Sequence, residues 1–166
     1  MSNFVGCTPY EMQNNETNYN YDAIGKNSEA ITAGDPLSLS SGQIIVAGTT
    51  NSILGVAVKT ATMTAGNTAV AKVQPGYIPV DETTQFIMGT NADLTGNSTD
   101  TGTYYKLTAN TTNTVLVDVT NGVQTTTSRV VMIKKVDPYQ LGGSGSGSGL
   151  RQVVVTFVRR PTWIDQ

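Results

Sequence analysis

Apolar and polar residues alternate along most of this chain with a period of two, and no helical period is sustained anywhere. Pro36-Leu37-Ser38-Leu39 alternates, Ser40-Ser41-Gly42-Gln43 offers turn formers, and Ile44-Ile45-Val46-Ala47 returns, so a hairpin is expected. Ile53 to Val58 is almost continuously apolar, which predicts a strand buried on both faces, with Gly55 marking a bulge or a close backbone approach. Further strands are expected at Ala69–Val73, at a short edge piece around Tyr77-Ile78, at Phe86–Met88 and at Tyr104–Leu107. Val115, Val117 and Val119 alternate with Leu116 and Asp118 and end at Asn121-Gly122, a strong turn signal. Two longer strands close the pattern. Val130, Met132, Lys134 and Val136 share one face of the first, and Val153, Val155 and Phe157 one face of the second. Residues 141–150, with a Gly/Ser core at 142–149, separate them and read as the long tip of a hairpin.

The pattern predicts an all-β protein: a compact antiparallel barrel or sandwich over residues 29–136, with an extended N-terminal arm at 1–28 and a long Gly/Ser-tipped C-terminal hairpin and tail at 137–166. Composition agrees. Among 166 residues there are 26 Thr and 13 Asn, which disfavour helix interiors, and Thr favours strands.

The arm has no sustained period and scatters Phe4, Tyr10, Tyr19 and Tyr21 among asparagines. Fixing about 28 residues costs roughly 28–56 kcal/mol of backbone entropy. Four buried aromatics return roughly 15–25 kcal/mol at most. The arm therefore cannot order on its own side chains. Either it is a loose terminus, or it docks on a partner that also satisfies its backbone polar groups, and four aromatics in so short a polar stretch favour docking.

Chemistry is constrained by what is missing. The chain has no His, which removes the commonest general base and metal ligand, and Cys7 is its single cysteine. The Gly/Ser run lacks the Lys and the spacing of a phosphate loop. Asp81 and Glu82 are adjacent, so a strand would point them apart. The glycine-rich C-terminal segment invites comparison with small all-β dUTP-hydrolysing enzymes, but the stacking aromatic of their closing motif is missing from the run. No enzyme, metal or cofactor is expected, and neither a transmembrane helix nor a signal peptide.

Charge is unevenly placed. Residues 1–128 carry a net −6 and residues 129–166 a net +4, for −2 overall. Arg129, Lys134, Lys135, Arg151, Arg159 and Arg160 either guard sheet edges or form a patch facing an acidic partner. The overall balance argues against direct nucleic-acid binding. The tail from Arg159 and Arg160 through Pro161 to Trp163 holds the sole Trp. Trp and Arg are the residue types most enriched at binding hot spots, though Trp163 could equally cap the protein's own core.

The stretch AITAGDPLSLSSGQIIVAGTTNSILGVAVKTATMTAGNTAVAKVQPGYIPV resembles the β-clip or β-tulip-like domains of tailed-phage capsid decoration (cement) proteins. The resemblance rests on Gly34-Asp35-Pro36-Leu37, the turn to Ile44–Ala47, the Ile53–Ala57 run and the alternating Ala69–Val73 segment, about a third of the chain. It implies a non-enzymatic virion protein made in the host cytoplasm and bound to the outer capsid surface. Its implied partner is the major capsid protein, bridged across neighbouring subunits by a homotrimer. The candidate contact residues read from the two ends are Phe4, Tyr10, Tyr19, Tyr21, Arg159, Arg160 and Trp163. An alternative is a receptor- or glycan-binding head-fibre or tail-spike domain, with Tyr77, Tyr104 or Tyr105 stacking on sugar rings.

Overall fold

The computed structural model describes residues 7–11, 24–26, 28–62, 76–81, 83–92, 94, 101–108, 115–125, 127–136 and 152–159; for residues 8–11 and 24 it describes the backbone alone. The protein is all-β, with mainly antiparallel sheets, and no helix occurs among the described residues. The strands are β1 (Thr8–Glu11), β2 (Ile24–Gly25), β3 (Ala30–Ile31), β4 (Pro36–Ser40), β5 (Gln43–Val46), β6 (Gly55–Ala57), β7 (Ala61–Thr62), β8 (Tyr77–Pro79), β9 (Gln85–Gly89), β10 (Tyr104–Leu107), β11 (Val117–Asp118), β12 (Val131–Val136) and β13 (Gln152–Phe157). They form a six-stranded sheet in the order β1-β9-β13-β12-β10-β11, a five-stranded sheet β2-β5-β4-β6-β8, and a small β3-β7 pair.

The β4–β5 hairpin forms as its alternation predicts. Leu37 faces Val46, Leu39 faces Ile44, and Ser40 faces Gln43 across a two-residue loop. Ser41 and Gly42 have φ of 50° and 74°, the left-handed pair whose twist matches that of the flanking strands. β6 is buried on both faces, and Gly55 is there because the chain passes too close for a side chain. A Cβ at this position would lie against the Tyr77 ring and 2.5 Å from the Ile78 carbonyl oxygen. Among the described residues β8 is the last strand of its sheet, a place that suits Pro79, which has no N–H to donate.

The six-stranded sheet curls. A parallel bridge between Thr90 and Val117, with Asn91 N–H donating to the Val117 carbonyl at 3.0 Å, returns the end of β9 to β11. Phe86, Met88, Leu107, Val117, Val131, Ile133, Val155 and Phe157 are almost fully buried in this sheet, and the Phe86 and Phe157 rings meet edge to face at 5.5 Å. The two large sheets share one core with Leu37, Ile44, Ile53 and Val56. They are also tied by backbone bonds, Ile53 N–H to Arg159 carbonyl at 2.8 Å and Leu107 N–H to Thr49 carbonyl at 3.1 Å.

One expected face is inverted. In β12 the core takes Val131 and Ile133, while Met132 is half-buried and Lys134 is exposed. The ladder to β13 slips between Ile133 and Lys135, so an extra residue changes the phase and Val136 packs against the core. Val130 is buried but precedes the strand; its N–H donates to Tyr105. The Val153, Val155 and Phe157 face of β13 is buried as expected.

Two pieces of the expected arm pair with the body. β1 runs antiparallel to β9, and β2 runs parallel to β5. For these pieces the protein's own sheet edges, and not a separate partner, satisfy the backbone, because an open strand edge offers the donors and acceptors that the arm's side chains lack. The antiparallel pairing of β12 with β13 is that of a hairpin. Its Gly/Ser tip and the expected Ala69–Val73 strand lie outside the described residues.

Candidate functional site

β12 begins where β13 ends, since Val131 faces Phe157, and this register places Arg129 beside Val158 and Arg159. β10 runs alongside β12 with Tyr105 facing Val131, so Tyr105 points into the core and Tyr104 outward. The result is an open cleft of about 500 Å³ lined by Tyr104, Thr127, Arg129, Val158 and Arg159.

Both arginines are held in place. The Arg129 guanidinium lies 4.3 Å from the centroid of the Tyr104 ring, a cation–π contact. Its Nε is buried with no hydrogen-bond partner. Arg159 Nη1 donates to the Thr127 carbonyl, and its own carbonyl accepts from Ile53. Among the described residues the sole ion pair is Lys106–Asp118 at 3.8 Å, so no described acid neutralises either arginine.

Of the residues expected to make contact, Arg159 is in this cleft. Phe4, Tyr19, Tyr21, Arg160, Trp163 and the side chain of Tyr10 lie outside what is described. Of the six basic residues expected at sheet edges or in a patch, Arg151 and Arg160 lie outside the described residues, and Arg129 and Arg159 line the cleft. Lys134 and Lys135 are exposed on β12 roughly 10 Å along the strand from the cleft. Tyr77 and Tyr105 are 1 % and 4 % exposed, so neither offers a face to a sugar, and Tyr104 alone lines an opening. Sequence reading named Arg129 only as one basic residue among six and gave Thr127 no role. The Arg129–Tyr104 contact spans 25 positions and has no local signature, because strand register alone creates it.

A second titratable group sits before β4. Asp35 is fully buried; its Oδ2 accepts from Thr32 N–H at 2.7 Å, and its Oδ1 has no partner. Burial pushes its carboxyl up to about 6, against the lowering effect of the Thr32 bond, and Glu29 adds to the rise. Cys7, bonded through its N–H to the Gly34 carbonyl, is buried, and desolvation together with nearby Asp35 holds its thiol well above the usual range. A buried, protonated thiol is a poor nucleophile. No group of three or more His, Cys, Asp or Glu able to hold a metal occurs among the described residues.

Comparison of the chain with family models, curated proteins and solved structures finds no match.

Proposed function

We propose that this protein is a non-catalytic structural component of a phage virion, bound to the outer face of the head and bridging neighbouring major capsid protein subunits. The observation that carries this reading is the pair of pre-positioned arginines, Arg129 and Arg159, which no described acid neutralises, in an open cleft from which the sequence runs on into Arg160 and Trp163. Such a surface suits recognition of another protein, since Arg and Trp concentrate binding energy. The continuous core beneath it suits a rigid clamp. The resemblance of residues 30–80 to decoration domains points the same way, and with it come a homotrimer and a place on the outer capsid surface.

Binding the assembled lattice more tightly than free subunits stabilises the lattice by mass action. Several weak contacts on one assembly multiply through effective concentration. The test is co-sedimentation with purified heads. Removing residues 1–27 outright would strip β1 and β2 from their sheets, so smaller changes are the sounder probes. Phe4→Ala with Tyr19→Ala and Tyr21→Ala, and separately a chain ending at Arg159, should each lower head occupancy about tenfold or more at unchanged melting temperature. Wild-type occupancy by both variants would overturn the reading.

The outward ring of Tyr104 keeps a sugar-binding role as a second reading. Binding to a glycan array without affinity for heads would favour it.

A further inference from the structure

We propose that the Arg129–Tyr104–Arg159 cleft receives a carboxylate-rich segment of the protein on which this molecule sits, which, resting on the reading above, is the shell protein. The two guanidiniums enter binding with much of their freedom already lost. One lies 4.3 Å from the Tyr104 ring centroid, and the other is bonded to the Thr127 carbonyl. Guanidinium is weakly hydrated and matches a carboxylate with two parallel donors, so an incoming Glu or Asp gains paired, charge-assisted bonds. The buried Arg129 Nε, lacking an acceptor, leaves a partly desolvated cation that an anion on its neighbouring nitrogens would neutralise. The Tyr104 ring and Val158 give the methylene groups of a Glu an apolar floor.

A volume of about 500 Å³ in an open cleft fits side chains of a passing segment. Nucleic acid is the poorer fit. A duplex carries a charge about every 1.7 Å, and it would meet repulsion from a surface whose first 128 residues are net −6. A short acidic segment feels mainly the cleft.

The experiment uses the full chain with ¹⁵N-labelled arginine side chains. It is titrated with a short blocked peptide of Glu and Asp, with the Gln/Asn peptide of equal length, with inorganic phosphate and with a thymidine oligonucleotide. The proposal expects saturable shifts of the Arg129 and Arg159 Nε–H signals and of the Tyr104 ring with the acidic peptide. Arg129→Gln or Arg159→Gln should weaken binding about tenfold each, and added salt should weaken it further. Arg129→Lys should rescue only part, because it keeps the charge and loses the fork. Equal shifts with the Gln/Asn peptide, tighter binding of phosphate or oligonucleotide, or no shift would overturn the proposal. Head binding is measured in parallel. If the doubly substituted protein still occupies heads like wild type, the cleft is not the head contact and the cleft proposal falls, while the structural reading loses its arginines and rests on the resemblance and on the contacts of the two ends. If wild-type protein itself does not bind heads, that reading falls.

Discussion

Asp35 has one carboxyl oxygen bonded to Thr32 and the other sealed without a partner, so the fold holds its proton more tightly than the open chain does. With a folded value near 6 against an ordinary 3.8, its stabilising contribution is complete below about 3.8 and is lost as pH rises through 6. Asp35→Asn should therefore raise the melting temperature at pH 7.5, through a stability gain of about 3 kcal/mol. The gain should vanish by about pH 4, and thermal melts across that range would show it. A gain that persisted at pH 4 would mean that ionisation is not the cause. Asp81 opposes this trend. Burial raises its carboxyl, but hydrogen bonds from Thr84 and Thr83 outweigh that and hold it below the ordinary value. Its contribution is present above the ordinary carboxylate range and is lost on acidification. The sequence showed Asp35 only as part of Gly34-Asp35-Pro36, a turn-forming run. Its burial follows from tertiary packing, and Cys7, from a distant part of the chain, bonds the adjoining Gly34 carbonyl.

Among the elements, two glycines separate two kinds of constraint. At Gly42 a Cβ meets nothing within 4 Å, but φ is +74°. Gly42→Ala should cost about 1 kcal/mol, through backbone conformation alone. At Gly55 the obstacle is the Tyr77 ring and the Ile78 carbonyl, so Gly55→Ala forces β6 and β8 apart. It should cost more, about 2–3 kcal/mol. Urea unfolding of both variants checks the order, and equal costs would show that β8 yields easily. The hairpin at Gly42 was readable because alternation and turn residues sit side by side in the chain. The inverted face of β12 was not. Val130, Met132 and Val136 are as apolar as Val131 and Ile133, and the extra residue near Lys134 is defined only by its ladder to β13.

For the molecule as a whole, the pairing of β1 matters most at the sheet margin. It covers one side of β9, and Cys7 just before it joins the core. Deleting residues 1–11 should lower stability by roughly 3 kcal/mol, from lost ladder bonds and the lost Cys7 contact. It should also leave β9 as an open edge, which favours self-association. Calorimetry and solution mass at rising concentration would measure both. An unchanged melting temperature would show that β1 contributes nothing to holding the body together.

All-β character, most strand positions, the tight turn at Ser41-Gly42 and the need for a side-chain-free residue at Gly55 could be read from the residues in order. Periodicity and turn chemistry act between neighbours in the chain, and the residues state them locally. The tertiary structure alone decided that the end of β9 returns to β11, that Thr8–Glu11 and Ile24–Gly25 complete sheet edges, and that Arg129, Tyr104 and Arg159 share a cleft. Those outcomes depend on register and on how far the curl closes. These are set by packing among residues tens of positions apart, which no local window contains.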